Sequence, residues 1–215
     1  MTKTYTLELT EEQVAKLKEI IGTSVLEEYP NMDWWRVKDA IKAGTDLTGD
    51  TYKVTFATGE EKGREIYYSP THNPYGEGFI FVPDRLLDNE RPIDGEDNLF
   101  RWLDTEFKSW LPQTLQDVLS PNIDGHDIFL PHEMEIFGTN IYAKDKEYGK
   151  YKKWDCFTDR ESRKFERKGD YDWYWTCSPY VSYSASFCFV YSYGSPGNYS
   201  ASDSFGVLPC FLITP

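Results

Sequence analysis

Between Tyr180 and Phe205 the chain contains no Lys, Arg, Glu, Gln, Trp or Met. Lys, Glu, Gln, Trp and Met together supply 46 of the 215 residues. At uniform usage a stretch of this length would hold about five or six of them. The stretch reads YVSYSASFCFVYSYGSPGNYSASDSF, a mixture typical of recognition loops. Tyr and Phe give large, stiff contact area with few rotamers to freeze, while Ser, Gly and Asn give small adaptable hydrogen-bonding groups.

Other absences narrow the function classes. No run of about 18 apolar residues could span a bilayer, and the start, MTKTYTLELTEEQ, lacks the basic-then-apolar pattern of a secretory signal. The chain is therefore expected to be made in the cytosol without an export tag and without membrane insertion. Basic residues are outnumbered 36 to 23, giving a net charge of −13 that repels phosphate backbones. Nucleic-acid binding is not expected. Cys156, Cys177, Cys188 and Cys210 show no C-x-x-C spacing and read as reduced, small apolar residues. Glycine-rich phosphate loops are missing too.

What is present reads as an α+β chain long enough for one or two domains. Thr10 and Gln13 make a capping box, and Val14, Leu17, Ile20 and Ile21 follow at helical spacing before Gly22. This predicts an N-terminal helical arm over residues 1–30, either packed or docking on a virion or assembly partner. A second helix is expected from Asp33 as cap through Trp34, Trp35, Val37, Ala40 and Ile41 to Gly44, with both tryptophans facing the core. Tyr52, Val54 and Phe56 alternate with polar residues before Thr58-Gly59, which predicts a hairpin returning at 66–68. Phe79 to Val82 reads as a strand, and 83–98 as an irregular acidic loop running over the surface. Leu99 to Leu111 reads as a helix interrupted by Pro112. Ile128 to Leu130 forms a brief strand, with Pro131 at the first position of a helix closed by Gly138. Residues 142–170 are strongly charged around an apolar island at Trp154 to Phe157 and read as a solvated excursion.

Catalysis is not signalled. His126, Asp127, His132 and Glu133 are the only metal-ligand candidates, and their spacing matches no recognised site; no metal and no cofactor are expected. Cys177 and Cys188 lie among aromatics and serines, without the base or the electropositive setting that activates a thiolate. Asp170 and Asp172 read as a solvated acidic pair. Trp173 and Trp175 are expected to form a largely buried floor beneath the Tyr/Ser surface.

Several segments occur together in an order that resembles the DUF6273 family of phage and gut-bacterial proteins. They are Trp35 to Gly44, Arg101-Trp102-Leu103, Ile128 to Gly138, Tyr174-Trp175-Thr176-Cys177-Ser178-Pro179 as a W-x-x-S-P motif, and Gly206-Val207-Leu208-Pro209 as a G-V-R-P close. Leu208 departs from that close, standing where the family usually has Arg. The resemblance implies a C-type-lectin-like fold of the formylglycine-generating-enzyme type, with short antiparallel strands, two or more helices and long loops over residues 31–215. In such a fold the last segment makes the ligand face. It further implies a diversity-generating retroelement variable protein. In those systems adenine randomisation of AAY codons reaches Tyr, Ser, Phe, Asp, Ala, Cys, Gly and Thr but never Lys, Glu, Gln, Trp or Met, and the segment 180–205 obeys that rule.

The expected function is a non-enzymatic receptor or adhesin module binding a protein or glycan on a cell surface, in use on a virion or cell surface. The competing readings are a formylglycine-generating-type oxidase using Cys177 and Cys188, and a structural subunit using the face as an oligomer interface. The expected ligand-binding residues are Tyr180, Ser182, Tyr183, Phe187, Phe189, Tyr191, Tyr193, Tyr199, Ser202, Asp203 and Phe205, clustered on one exposed surface. Alternation would place Phe187, Phe189, Tyr191 and Tyr193 outward, with Cys188 and Val190 facing the core.

Overall fold

The computed structural model describes residues 33–94, 98–143 and 149–215. The expected arm over 1–30, with its helix and its partner role, lies outside the described residues. Asp33 accepts a hydrogen bond from the Trp35 N–H at 3.1 Å and so starts α1, Trp34–Lys42. Gly44, with φ of 77°, turns the chain out of the helix. Trp34, Val37 and Ile41 are buried at helical spacing, and Trp34 packs edge-on against Phe81 and Phe211. Trp35 does not share that face and is 45% exposed, because adjacent helical residues point about 100° apart.

The main layer is a five-stranded antiparallel sheet. β1 is Tyr52–Thr55, β2 Glu65–His72 and β3 Phe79–Pro83; the last strand, β12, Cys210–Ile213, inserts between β3 and β5, Ile128–Phe129. Val54 pairs with Ile66 as the alternation predicts, and Ile66, Tyr68 and Pro70 are the inward positions of β2. Phe81 and Phe211 stack across β3 and β12 with centroids 5.0 Å apart. Gly59 in the β1–β2 turn has φ of 81°, and a Cβ there would lie 2.1 Å from the Trp110 ring, so only glycine fits.

Asn98 caps α2, Leu99–Trp102, which runs into a π-helical turn, Leu103–Phe107, and then α3, Lys108–Trp110. Pro112 ends this stretch before the short α4, Gln113–Gln116. α5 is Glu133–Phe137 and begins two residues later than expected. The N-cap is His132, whose backbone N–H donates to the Glu135 carboxylate at 2.7 Å, and Pro131 lies outside the helix. Gly138, with φ of 73°, closes it.

Two stretches expected at the surface reach the interior instead. In 83–98, Leu86, Leu87 and Ile93 are buried, and the backbone N–H groups of Leu86, Leu87 and Asp94 donate to the carbonyls of Glu166, Val207 and Ala201. β4, Arg91–Pro92, pairs with β11, Ser204–Phe205, so this segment braces the C-terminal one. In 142–170, Tyr151, Trp154, Phe157 and Phe165 are buried; the last three join a core cluster with Tyr174, Val190 and Leu208. Leu208, at the position where an Arg is usual, is fully buried in apolar contact. β6, Phe165–Arg167, and β7, Asp170–Asp172, form a separate hairpin.

Candidate functional site

The C-terminal segment builds a three-stranded antiparallel sheet from β8, Tyr174–Pro179, β9, Ser186–Val190, and β10, Pro196–Ser200, in the order β10-β9-β8. Side chains alternate between its two faces. Tyr174 and Val190 enter the core cluster, and Cys188 is fully buried on the same side. The other face carries Trp175 opposite Phe189 and Gly197, and Pro179 opposite Phe187 and Tyr199. That face holds an aromatic layer of its own. Trp173 stacks on Phe189 at 5.2 Å, Phe205 lies 4.5 Å from Trp175, and Tyr191 lies 4.6 Å from Phe189. Tyr193 stacks on Tyr191, and Tyr199 meets Phe205. A Cβ at Gly197 would fall 2.7 Å from the Phe189 ring and 2.8 Å from that of Tyr191, so glycine lets both rings lie over β10.

Phe189, Tyr191, Tyr193, Tyr199 and Phe205 thus form one continuous run of rings, graded from buried to exposed. Tyr193 and Tyr199 are exposed, Tyr191 and Phe205 half-buried. Phe189 is 1% exposed, which corrects its expected outward position. It points to the predicted face, but Trp173, Trp175 and Phe205 cover it. Trp175 is fully buried and its Nε1–H donates to the Arg91 carbonyl at 2.9 Å. Trp173 is only half-buried, so the expected floor is one tryptophan and one phenylalanine, with Trp173 at its margin.

The remaining expected residues lie at the end of β9 away from Tyr193. Residues 181–185 are all exposed, Tyr183 by 64%. The Ala201 N–H donates to the Ala185 carbonyl at 2.9 Å, which sets the loop carrying Ser182 and Tyr183 beside the turn carrying the exposed Ser202 and Asp203. Tyr180 and Phe187 are half-buried and meet rings from elsewhere, Tyr142 at 6.2 Å and Phe100 at 6.1 Å.

Beneath the β8 end runs a polar network that the sequence does not announce. The buried Ser178 hydroxyl accepts the Glu133 N–H at 2.9 Å and lies 3.3 Å from His132 Nδ1. His132 Nε2 in turn lies 2.8 Å from Asp124 Oδ2, and its ring stacks on Tyr151 at 3.5 Å. Burial alone would raise the Asp124 pKa, but hydrogen bonds from His132, Lys150 and Tyr151 outweigh it and hold this carboxyl well below the usual range. The Glu133 carboxylate is fully buried and accepts the N–H groups of Ile141, Tyr142 and Ala143. The W-x-x-S-P serine therefore ties β8 to α5, and Glu133 ties α5 to the loop that meets Tyr180.

The metal-ligand candidates do not converge. His126 faces Asp104, Asp127 pairs with Lys108, and His132 and Glu133 are engaged as above. No group of three or more His, Cys, Asp or Glu side chains among the described residues could hold a metal ion. Asp172 is bound by Arg167 Nε at 2.6 Å, while Asp170 is exposed. All four cysteines are free thiols, and burial pushes the Cys156 thiol up to about 12. No described helix is long and apolar enough to cross a membrane.

Mixed helices and short antiparallel strands, with the last segment laid over a braced aromatic layer, define an α+β domain. Residues 80–215 match the DUF6273 family, a domain of unknown function. The match spans well over half the chain, and the chain belongs to this family. No curated protein and no solved structure matches it.

Proposed function

We propose that this chain is a non-enzymatic, C-type-lectin-like ligand-binding module, a receptor or adhesin of phage, prophage or bacterial origin. Its segment 180–205 is the diversified face, it binds a protein or glycan on a cell surface, and it works on a virion or cell surface. One observation carries the reading: Tyr183, Tyr193 and Tyr199 are exposed on a segment whose inner side chains are locked into the core. Exposed apolar side chains that join into one contiguous patch mark an interaction site, whereas rings exposed singly do not. A rigid support holds these tyrosines ready, which lowers the entropic cost of binding. The oxidase reading is less well supported, because Cys188 is fully buried and Cys177 half-buried, leaving no accessible thiol pair.

The test uses the fluorescently labelled full chain and a panel of bacterial cells read by flow cytometry. Changing Tyr183, Tyr193 and Tyr199 together to Ser should leave the melting transition in place and reduce cell-bound signal at least about tenfold, as expected when hot-spot rings are removed. Equal binding by the parent chain and the triple variant would overturn the proposal.

A further inference from the structure

The β2–β3 turn, residues 73–78, stands over a cavity of about 530 Å³ to which no residue of 180–205 contributes. Ile80, Phe129 and Leu212 give it apolar walls, and the exposed Ile123 stands at its rim. Its charged side chains are Glu77 and Glu135, and no Lys, Arg or His lines it. Glu135 is 3% exposed, yet the groups that hydrogen-bond its carboxylate are neutral, the Tyr75 hydroxyl at 2.6 Å and the His132 backbone N–H at 2.7 Å. Glu61 and Asp124 are matched by cations, the first by Arg64 and the second by Lys150 and His132, whereas the fully buried Glu133 is held by three backbone N–H groups. Burial pushes the Glu135 carboxyl up, with the His132 ring and the Tyr75 hydroxyl offsetting part of that rise.

A buried carboxylate whose direct hydrogen-bond partners are neutral is costly, and a cation arriving with its own apolar cover would relieve it. A cavity of this volume falls in the range of small-molecule sites. We infer that it binds a small organic cation, a primary ammonium on an apolar body, with the ammonium at Glu135 and Glu77 and the body against Ile80, Phe129 and Leu212. The site is independent of the aromatic face and stands or falls separately from it.

The experiment titrates the full chain with phenethylammonium chloride and, in parallel, with phenethyl alcohol, by calorimetry and isotope-edited NMR. The ammonium should bind at least about tenfold more tightly than the alcohol, as a charge-assisted contact in a confined site requires. Backbone signals of Ile80, Phe129 and Leu212 should shift. Glu135→Gln should remove the preference. Ile123→Lys, at an exposed rim position, should keep the fold and weaken the ammonium alone by at least about fivefold through like-charge repulsion. If Glu135→Gln fails to fold, Ile123→Lys decides. The proposal is overturned by equal binding of the two probes, or by no saturable ammonium binding below about 10 mM. A preference that persists undiminished in Ile123→Lys, as general attraction to an acidic surface would give, overturns it too.

Discussion

Replacing Trp175 with Ala should destabilise the fold before it touches recognition. The indole is fully buried between Phe189 and Phe205, and its Nε1–H is bonded to the Arg91 carbonyl. Truncating a buried Trp to Ala costs about 3 to 5 kcal/mol. The orphaned carbonyl adds about 1 kcal/mol where water does not replace the lost donor. With an m value near 3 kcal/mol/M for a chain of this size, the urea midpoint should fall by about 1 to 2 M at unchanged slope. Trp175→Phe keeps most of the packing and should lose about half as much. Trp173→Ala, at a half-buried position stacked on Phe189, should cost clearly less than Trp175→Ala. An unchanged Trp175→Ala midpoint would refute the buried-support assignment, and if ligand binding were lost at the same time the ring would be a contact residue.

Gly197→Ala drives a methyl into the Phe189 and Tyr191 rings and should cost about 1 to 3 kcal/mol, read as a lowered melting temperature. Ser178→Ala leaves the buried Glu133 N–H unpaired and should cost about 1 to 3 kcal/mol by urea unfolding. The Asp124 carboxyl is lower in the folded chain than in the unfolded one. Its contribution is therefore whole above about pH 5 and is lost as pH falls through the ordinary carboxylate range toward the folded value. Asp124→Asn should consequently show a shallower loss of urea midpoint from about pH 6 to about pH 3 than the parent chain. Tyr183→Ser, Tyr193→Ser and Tyr199→Ser should each stay within about 0.5 kcal/mol of parental stability by the same assay.

Local chemistry made much of this fold legible. Asp33 as cap, Gly44 and Gly138 as stops, the break at Pro112 and the Tyr52–Phe56 alternation all act over a few residues, where sequence carries the physics directly. Period-two alternation also assigned Phe189 to the correct side of β9. It failed on exposure because the cover over that side comes from Trp173, Trp175 and Phe205, the last held by its two-residue pairing with Arg91–Pro92. Two-residue strands have no period to read, and the buried Leu86, Leu87 and Ile93 around them were the available signal. Trp34 and Trp35 look alike in sequence, and only their angular separation on the helix sends one inward and one out. Ser178, His132 and Asp124 meet across 54 residues of chain; the W-x-x-S-P motif marked the serine, but its partners exist only in the fold. The residues proposed for recognition stand out by composition, since the feature that sets them apart is chemical rather than topological.

The most direct test of a diversified face is the DNA sequence of the locus. A diversified face requires a near-copy repeat beside the segment encoding 180–205, differing at adenines, together with a reverse transcriptase gene. The differences should gather at the codons of Ser182, Tyr183, Tyr191, Tyr193, Tyr199, Ser202 and Asp203 and should spare Gly194 and Gly197, which the backbone and ring contacts require. A locus with no such repeat, or a repeat whose differences fall evenly over all four bases, would contradict it.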